Sequence, residues 1–247
     1  MRRGKQLMGY INDNGCDKNV DWLERTRTLI GEKAVERLRN SSIVIFGIGG
    51  VGSFATEAIA RLGVENLILV DFDKVSHSNI NRQLVALNST VGQYKVDVMA
   101  QRINDINPLC KVKVIKEFVS IENINSMLNE KIDFVVDAID SVTSKLDVIE
   151  TSINMGIPIV SSMGAGNKMD PSKFQVKDIS KTHTCPLARA VRVGLRKRNI
   201  YKGVEVVFST ELPIHTDTTF PSSISFVPSA AGLLLASVVA NKLLYAL

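Results

Sequence analysis

No C-x-x-C pair occurs in this 247-residue chain, and its three cysteines, Cys16, Cys110 and Cys185, are an odd, widely spaced set. That argues against a cysteine zinc site and against a disulfide scaffold, and it suits a reducing, cytoplasmic setting. His77, His183 and His215 are equally dispersed and show no metal-ligand spacing. The opening stretch MRRGKQLMGYINDNGCDKN lacks the apolar centre of a signal peptide. The most apolar stretch, 230–240, gives way to Asn241-Lys242 and falls short of the roughly 20 apolar residues that span a bilayer. It reads as a C-terminal core or dimer helix, with no membrane insertion. At 45% hydrophobic and 22% charged residues, disorder and collagen-like repetition are excluded, and a single unit with a sizeable core is expected. The net charge of +5 is a mild bias toward anionic partners and decides nothing alone.

What is present is an alternation. Residues 1–20 read as a flexible tail, and a charged, helix-compatible segment runs from Trp22 to Leu38. Ile43–Phe46 is a short β-branched run, followed by Gly47-Ile48-Gly49-Gly50-Val51-Gly52 and the helical pattern SFATEAIARLG, closed by Gly63. A second apolar strand, Leu67–Val70, ends at Asp71. The polar passage 71–83 then stands where an ordinary doubly wound fold would start a helix. The spacing predicts a helix over 92–106, strands at 112–116 and 132–136, a helix over about 142–155 and a strand over 157–161 leading into Gly164-Ala165-Gly166. Beyond about residue 170 the pattern is less regular, with an apolar run at 204–208 and a final helix. The fold class expected is α/β: a Rossmann-like, mostly parallel sheet flanked by helices, with a less regular C-terminal extension. The nucleotide-binding part falls at about 40–165 and a substrate or dimer part at about 166–247, within one domain over 21–247.

Gly47-x-Gly49-x-x-Gly52, with Gly50 inside it, sits where a dinucleotide fingerprint needs it. Glycines let the backbone approach phosphate, and a helix N-terminus offers unpaired N–H groups to an anion. Asp71, 19 residues past Gly52, stands where an acid accepts both ribose hydroxyls. A tight turn without a ligand is the plain alternative, and the fingerprint alone would favour NAD. Past the strand end, however, come Asp73, Asn79, Arg82, Gln83 and Lys95, a polar and cationic set. Each cation singly reads as a solvated surface charge; as a set around the fingerprint they favour the triphosphate of ATP. Asp140, after the strand at 132–136, is suited to holding Mg²⁺ on the phosphates, while Asp137 reads as structural. ATP and Mg²⁺ without a Walker lysine loop suggest adenylation, with attack at the α-phosphate.

Together GIGGVGS, LVDFDKVSHSNINRQ, VGQYK and DAIDS resemble the ubiquitin-activating-enzyme-like (ThiF-like) adenylating superfamily over residues 43–145. The resemblance implies ribose binding by Asp71, phosphate contacts by Arg82 and Lys95, and organisation of Mg·ATP by Asp140. It also implies an arginine from the partner subunit's N-terminal helix, for which Arg25 is the best match and Arg27 stays open. The second half, SSMGAGNKMDPSKFQVKDISKTHTCPLARAVRVGLRKR with VVFSTELP and FVPSAAGLLLAS, resembles the tRNA threonylcarbamoyladenosine dehydratase family. That family implies a homodimer that uses ATP to cyclise the threonylcarbamoyl group on adenosine 37 of tRNA. A sulfur-transfer or cysteine-desulfurase-type protein partner is a further expectation. Three rivals stand beside it: an activator of ubiquitin-like sulfur carriers, a NAD-dependent oxidoreductase, and a non-catalytic tRNA-binding protein. The sulfur-carrier branch usually carries two C-x-x-C zinc pairs, absent here.

Residues 177–203 hold eight cations, Lys177, Lys181, Arg189, Arg192, Arg196, Lys197, Arg198 and Lys202, against Asp178, which leaves a net −2 for the rest of the chain. Thr184-Cys185-Pro186 can start a helix on which Arg189, Arg192 and Arg196 share a face. Arg189, Arg192, Arg196, Lys197 and Arg198 are therefore the candidate tRNA-binding set, against the alternative of an ordinary solvated face. Cys185 reads as a marker of this segment, because the implied reaction needs no thioester.

Overall fold

The structure is a computed structural model that describes residues 21–218 and 221–245; the tail expected over 1–20 lies outside the described residues. The helix-compatible segment after it forms two helices, α1 (Glu24–Ile30) and α2 (Glu32–Asn40). The break falls at Gly31, whose φ of 86° a helix cannot contain.

Ile43, Val44, Ile45 and Phe46 are all fully buried, which is why β1 (Ser42–Phe46) reads as an unbroken apolar run: both faces of this strand are covered. It is followed by α3 (Gly52–Arg61), β2 (Asn66–Val70), α4 (Lys95–Ile106) and β3 (Lys111–Ile115). Next come α5 (Ile124–Met127), β4 (Phe134–Asp137), α6 (Val142–Asn154) and β5 (Ile159–Ser162). The last part adds β6 (Phe174–Asp178), α7 (Pro186–Lys197), β7 (Glu205–Ser209) and α8 (Phe226–Tyr245).

The sheet has seven strands in the order β3-β2-β1-β4-β5-β7-β6. All pairings are parallel except β6 with β7. The extension after residue 170 is thus part of the sheet, and only its edge strand runs the other way. Alternate residues of β1 serve two cores: Ile43 and Ile45 meet α3, α4 and α8, whereas Val44 and Phe46 face the layer built by α6 and α7. Helix α4 starts at Lys95 rather than at 92, because Gln93 and Tyr94 are held in a short ladder beside Lys74 and Val75.

Helix α8 runs 20 residues, from Phe226 through the polar pair to Tyr245, and by length and composition alone could cross a membrane. That corrects the expectation that the apolar stretch is too short. Its Val227, Ala231, Leu235 and Val239 are buried in the core shared with α3 and the sheet, so it is a core helix here.

Successive strands leave β1 in opposite directions, β2 and β3 to one side and β4 and β5 to the other. The crevice beyond the C-terminal ends of β1 and β4 is therefore the switch point at which open α/β sheets bind ligands.

Candidate active site at the β1–β4 switch point

A cavity of about 880 Å³ occupies that crevice. Its floor is the turn from β1 into α3. Gly47 has φ 87°, and a Cβ there would meet the Ala138 carbonyl oxygen at 2.8 Å; one on Gly52 would lie 1.7 Å from the Gly47 oxygen. Only glycine fits this turn, and the open backbone it leaves is what an anion at the start of α3 needs.

Asp71, at the tip of β2, ties the turn to the next loop. Its Oδ2 accepts from the Ile48 N–H at 2.7 Å and its Oδ1 from the Asp73 N–H at 2.8 Å. Burial pushes the Asp71 carboxyl above its ordinary range, opposed by the charge of Lys95 and by those two hydrogen bonds. Lys95, the first residue of α4, is 5% exposed and reaches Asp73 Oδ2 at 2.6 Å. The half-buried Arg82 donates to the Ser78 carbonyl at 2.8 Å and to Asn81 Oδ1 at 2.9 Å. Asn79 Oδ1 accepts from the Ser76 N–H, fixing the short turn before it. Gln83 is buried, and its Oε1 has no hydrogen-bond partner among the described residues. The glycines 47, 49 and 50 line this cavity with Asp71, Asp73, Asn79, Arg82, Gln83, Lys95 and Asp140; Gly52 lies beneath it in the turn.

Across the crevice Asp140 is exposed and makes no hydrogen bond or ion pair among the described residues. The loop that carries it is anchored from below. Asp137 Oδ1 accepts from the Ile139 N–H at 3.1 Å, and its Oδ2 meets Lys145 Nζ at 2.7 Å and the Ser161 hydroxyl at 2.6 Å. Lys145 also donates to the Ser162 carbonyl at 2.9 Å, so one buried ammonium joins the ends of β4 and β5. Among the described residues no three His, Cys, Asp or Glu side chains cluster as a metal cage. A lone carboxylate beside phosphates still fits Mg²⁺, which takes most of its ligands from phosphate oxygens and water.

Two lining features were not read from the sequence. Phe72 and Phe118, half-exposed on the rim beside Asp71, form an edge-to-face pair with centroids 5.3 Å apart. Lys168 is 3% exposed and donates to the Glu211 carbonyl at 3.1 Å. Burial pushes its ammonium below the ordinary lysine range, with nearby Cys185 and Glu211 opposing. Phe72 stands next to Asp71 in sequence, but nothing local marks Phe118 or Lys168.

The remaining candidates lie elsewhere. Arg25 is exposed on α1, outside this cavity, and is without a hydrogen bond or ion pair among the described residues. Arg27, by contrast, is paired with Asp21 and Glu32. On α7, Arg189, Arg196 and Lys197 are exposed. Arg192 is half-buried, its guanidinium donating to the Thr182 carbonyl at 2.9 Å. Arg198 binds Asp147 at 2.8 Å and Glu150 at 2.7 Å on α6. Cys185, buried at the N-cap of α7, lines the cavity wall.

The geometry can be set against known proteins. The model of the ThiF family matches residues 23–245. The tRNA threonylcarbamoyladenosine dehydratase of Bacillus subtilis is 46% identical over 237 residues, covering 89% of this chain and 93% of that protein. The Escherichia coli tRNA N6-threonylcarbamoyladenosine dehydratase, solved in complex with ATP, superposes with a TM-score of 0.84 at 36% identity, covering 95% of this chain and 96% of that one. The same enzyme solved with AMP gives a TM-score of 0.85 at the same identity and coverage. By its glycine turn, its sheet order and these matches along nearly its whole described length, the chain belongs to the ThiF family, in the tRNA threonylcarbamoyladenosine dehydratase branch.

Proposed function

We propose that this protein uses ATP to cyclise N6-threonylcarbamoyladenosine at position 37 of tRNA, with net loss of water, through an acyl-adenylate. The observation that carries the reading is a single cavity that joins a nucleotide-binding half to a second half. The first is the glycine turn with Asp71, Arg82 and Lys95; the second runs from Gly164 to Cys185, where the basic helix α7 begins.

In the first step a carboxylate oxygen of the threonyl group attacks the α-phosphorus of ATP, and pyrophosphate leaves. Lys95 and Arg82 counter the charge on the phosphates, and Asp71 fixes the ribose. Mg²⁺ held at Asp140 supplies further neutralisation of the triphosphate when bound. In the second step the carbamoyl nitrogen attacks the activated acyl carbon, the five-membered ring closes, and AMP departs with the former carboxylate oxygen. Holding both ends of one substituent in a shaped cavity favours this intramolecular attack. Nothing in the sequence requires a covalent enzyme intermediate, so Cys185 serves the wall rather than the chemistry.

The protein acts as a homodimer in which Arg25, unpaired among the described residues where Arg27 is paired, reaches the phosphates of the partner subunit's site. Residues of about 40–165 then serve the nucleotide and those of about 166–247 serve substrate and dimer contacts. A cytoplasmic setting accords with the tRNA substrate.

Mass analysis of nucleosides after incubation of the protein with ATP, Mg²⁺ and tRNA carrying threonylcarbamoyladenosine tests the reading. A loss equal to one water, ATP-dependent and abolished by Asp140→Ala, is expected. NAD binding with no nucleoside change would overturn it.

A further inference from the structure

A second concavity adjoins the first, a groove of about 720 Å³ along α7. Arg189, Val193 and Lys197 line it at four-residue spacing, so they form one stripe on that helix. Val142 and Leu146 of α6 complete the floor together with Ala190 and Gly194. The two helices approach closely there: a Cβ on Gly194 would lie 2.5 Å from Leu146 Cδ1. Cys185 and Pro186 line both the groove and the ATP cavity, so the two adjoin at that sill.

The groove has an apolar floor and positive charge at both ends of its stripe, and among the described residues no Asp or Glu lines it. From Arg189 to Lys197 the helix rises about 12 Å, the length of three to four stacked nucleotides at about 3.4 Å each. His183, exposed at one end and packed perpendicular to Phe208, adds an aromatic ring to the groove. Its neighbour Thr184 is held at φ 65°, a strained conformation for a β-branched residue, at the mouth of the groove. Single-stranded RNA is bound by this combination of cations for phosphates and apolar or aromatic faces for bases.

We propose that this groove holds the single-stranded loop nucleotides adjoining the modified adenosine, with phosphates on Arg189 and Lys197 and bases over Val142, Leu146 and Val193. The strand crosses the Cys185–Pro186 sill, where the adenosine enters the ATP cavity. The inference rests on the tRNA reading above but goes beyond it, because it selects residues: Arg189 and Lys197 bind RNA from the groove, Arg192 shapes its wall, and Arg198 serves the fold.

The test compares two substrates: an RNA hairpin with threonylcarbamoyladenosine in its loop, and the free modified nucleoside. Val193→Asp, at a half-exposed position, and the milder Lys197→Gln should each raise the Kd for the hairpin, about tenfold or more for the acid. Turnover of the nucleoside with ATP should be unchanged in both. Lys131→Glu, on the exposed approach to β4 at the opposite end of the sheet, controls for net charge and should change hairpin binding less than threefold. Hairpin binding that is insensitive to both groove variants, with an active wild type, overturns the groove. A wild type that dehydrates neither substrate overturns the function reading instead.

Discussion

Lys145 Nζ lies 2.7 Å from Asp137 Oδ2, and neither side chain has any exposure to solvent. The pair is completed by Ser161 and the Ser162 carbonyl, and it sits directly under the loop that carries Asp140. Removing one member leaves an uncompensated buried charge, which costs about 3–5 kcal/mol, more than the pair itself is worth. Lys145→Ala is therefore expected to lower the urea midpoint steeply. The double change Asp137→Asn with Lys145→Met should recover much of the loss, and a double variant as unstable as the single one would contradict this account.

Lys95 has a different part. Its ammonium is buried at the cavity edge, while its partner Asp73 is about half-exposed, so that ion pair adds little stability. A hydrogen bond from a charged donor to phosphate is worth about 1.5–3 kcal/mol, so Lys95→Met should weaken ATP binding roughly ten- to a hundredfold. At a pH well above the pKa of Asp71, which the charge of Lys95 helps to hold down, adenosine, lacking phosphates, should bind as to the parent protein. Calorimetric titration with both ligands checks this, and equal losses would place Lys95 away from the phosphates.

Gly232 on α8 faces the same turn from behind. A Cβ there would lie 2.3 Å from the Val51 carbonyl oxygen and 2.9 Å from Phe54 Cβ. Gly232→Ala should cost about 1–3 kcal/mol through overpacking. Because Val51 belongs to the glycine turn, nucleotide affinity should fall with it. Leu233→Ala, one residue along and 53% exposed, should change neither melting temperature nor affinity appreciably.

What could be read from the chain divides along the range of the interactions. The β1–turn–α3–β2 unit is written locally, in glycines and an unbroken apolar strand, and Asp71 falls where that pattern puts it. Strand β6 is not, since FQVKD alternates half-buried and exposed positions at a sheet edge and depends on β7 for its pairing. The basic segment shows the same limit. Its charges are plain in the sequence, but that Arg198 is held by Asp147 and Glu150 is a long-range fact of packing. Gly31 breaks a helix that charge patterning alone would continue. The strand ends and spacing already gather Asp71, Arg82, Lys95 and Asp140 at one sheet edge; the resemblance to adenylating enzymes added a role for each.

Asp71 makes the cavity sensitive to acid in a way that can be separated from unfolding. Burial raises its pKa above the ordinary 3.8, only partly offset by Lys95 and the N–H groups of Asp73 and Ile48. Ribose hydroxyls bond more strongly to a carboxylate than to the protonated acid, so adenosine affinity should fall as the pH drops through this raised pKa, earlier than for an ordinary aspartate. For stability the sign is opposite. The native state holds this proton more tightly than the unfolded chain, so the contribution of Asp71 favours the fold at low pH and is lost as the pH rises through the native pKa. Protonation of Asp71 is therefore expected to release adenosine without itself unfolding the protein. Adenosine titrations at descending pH, with folding followed by circular dichroism, should show affinity lost while structure persists, and Asp71→Asn should bind weakly with a flat profile. If the parent and Asp71→Asn lose adenosine over the same pH range, a group other than Asp71 controls the site.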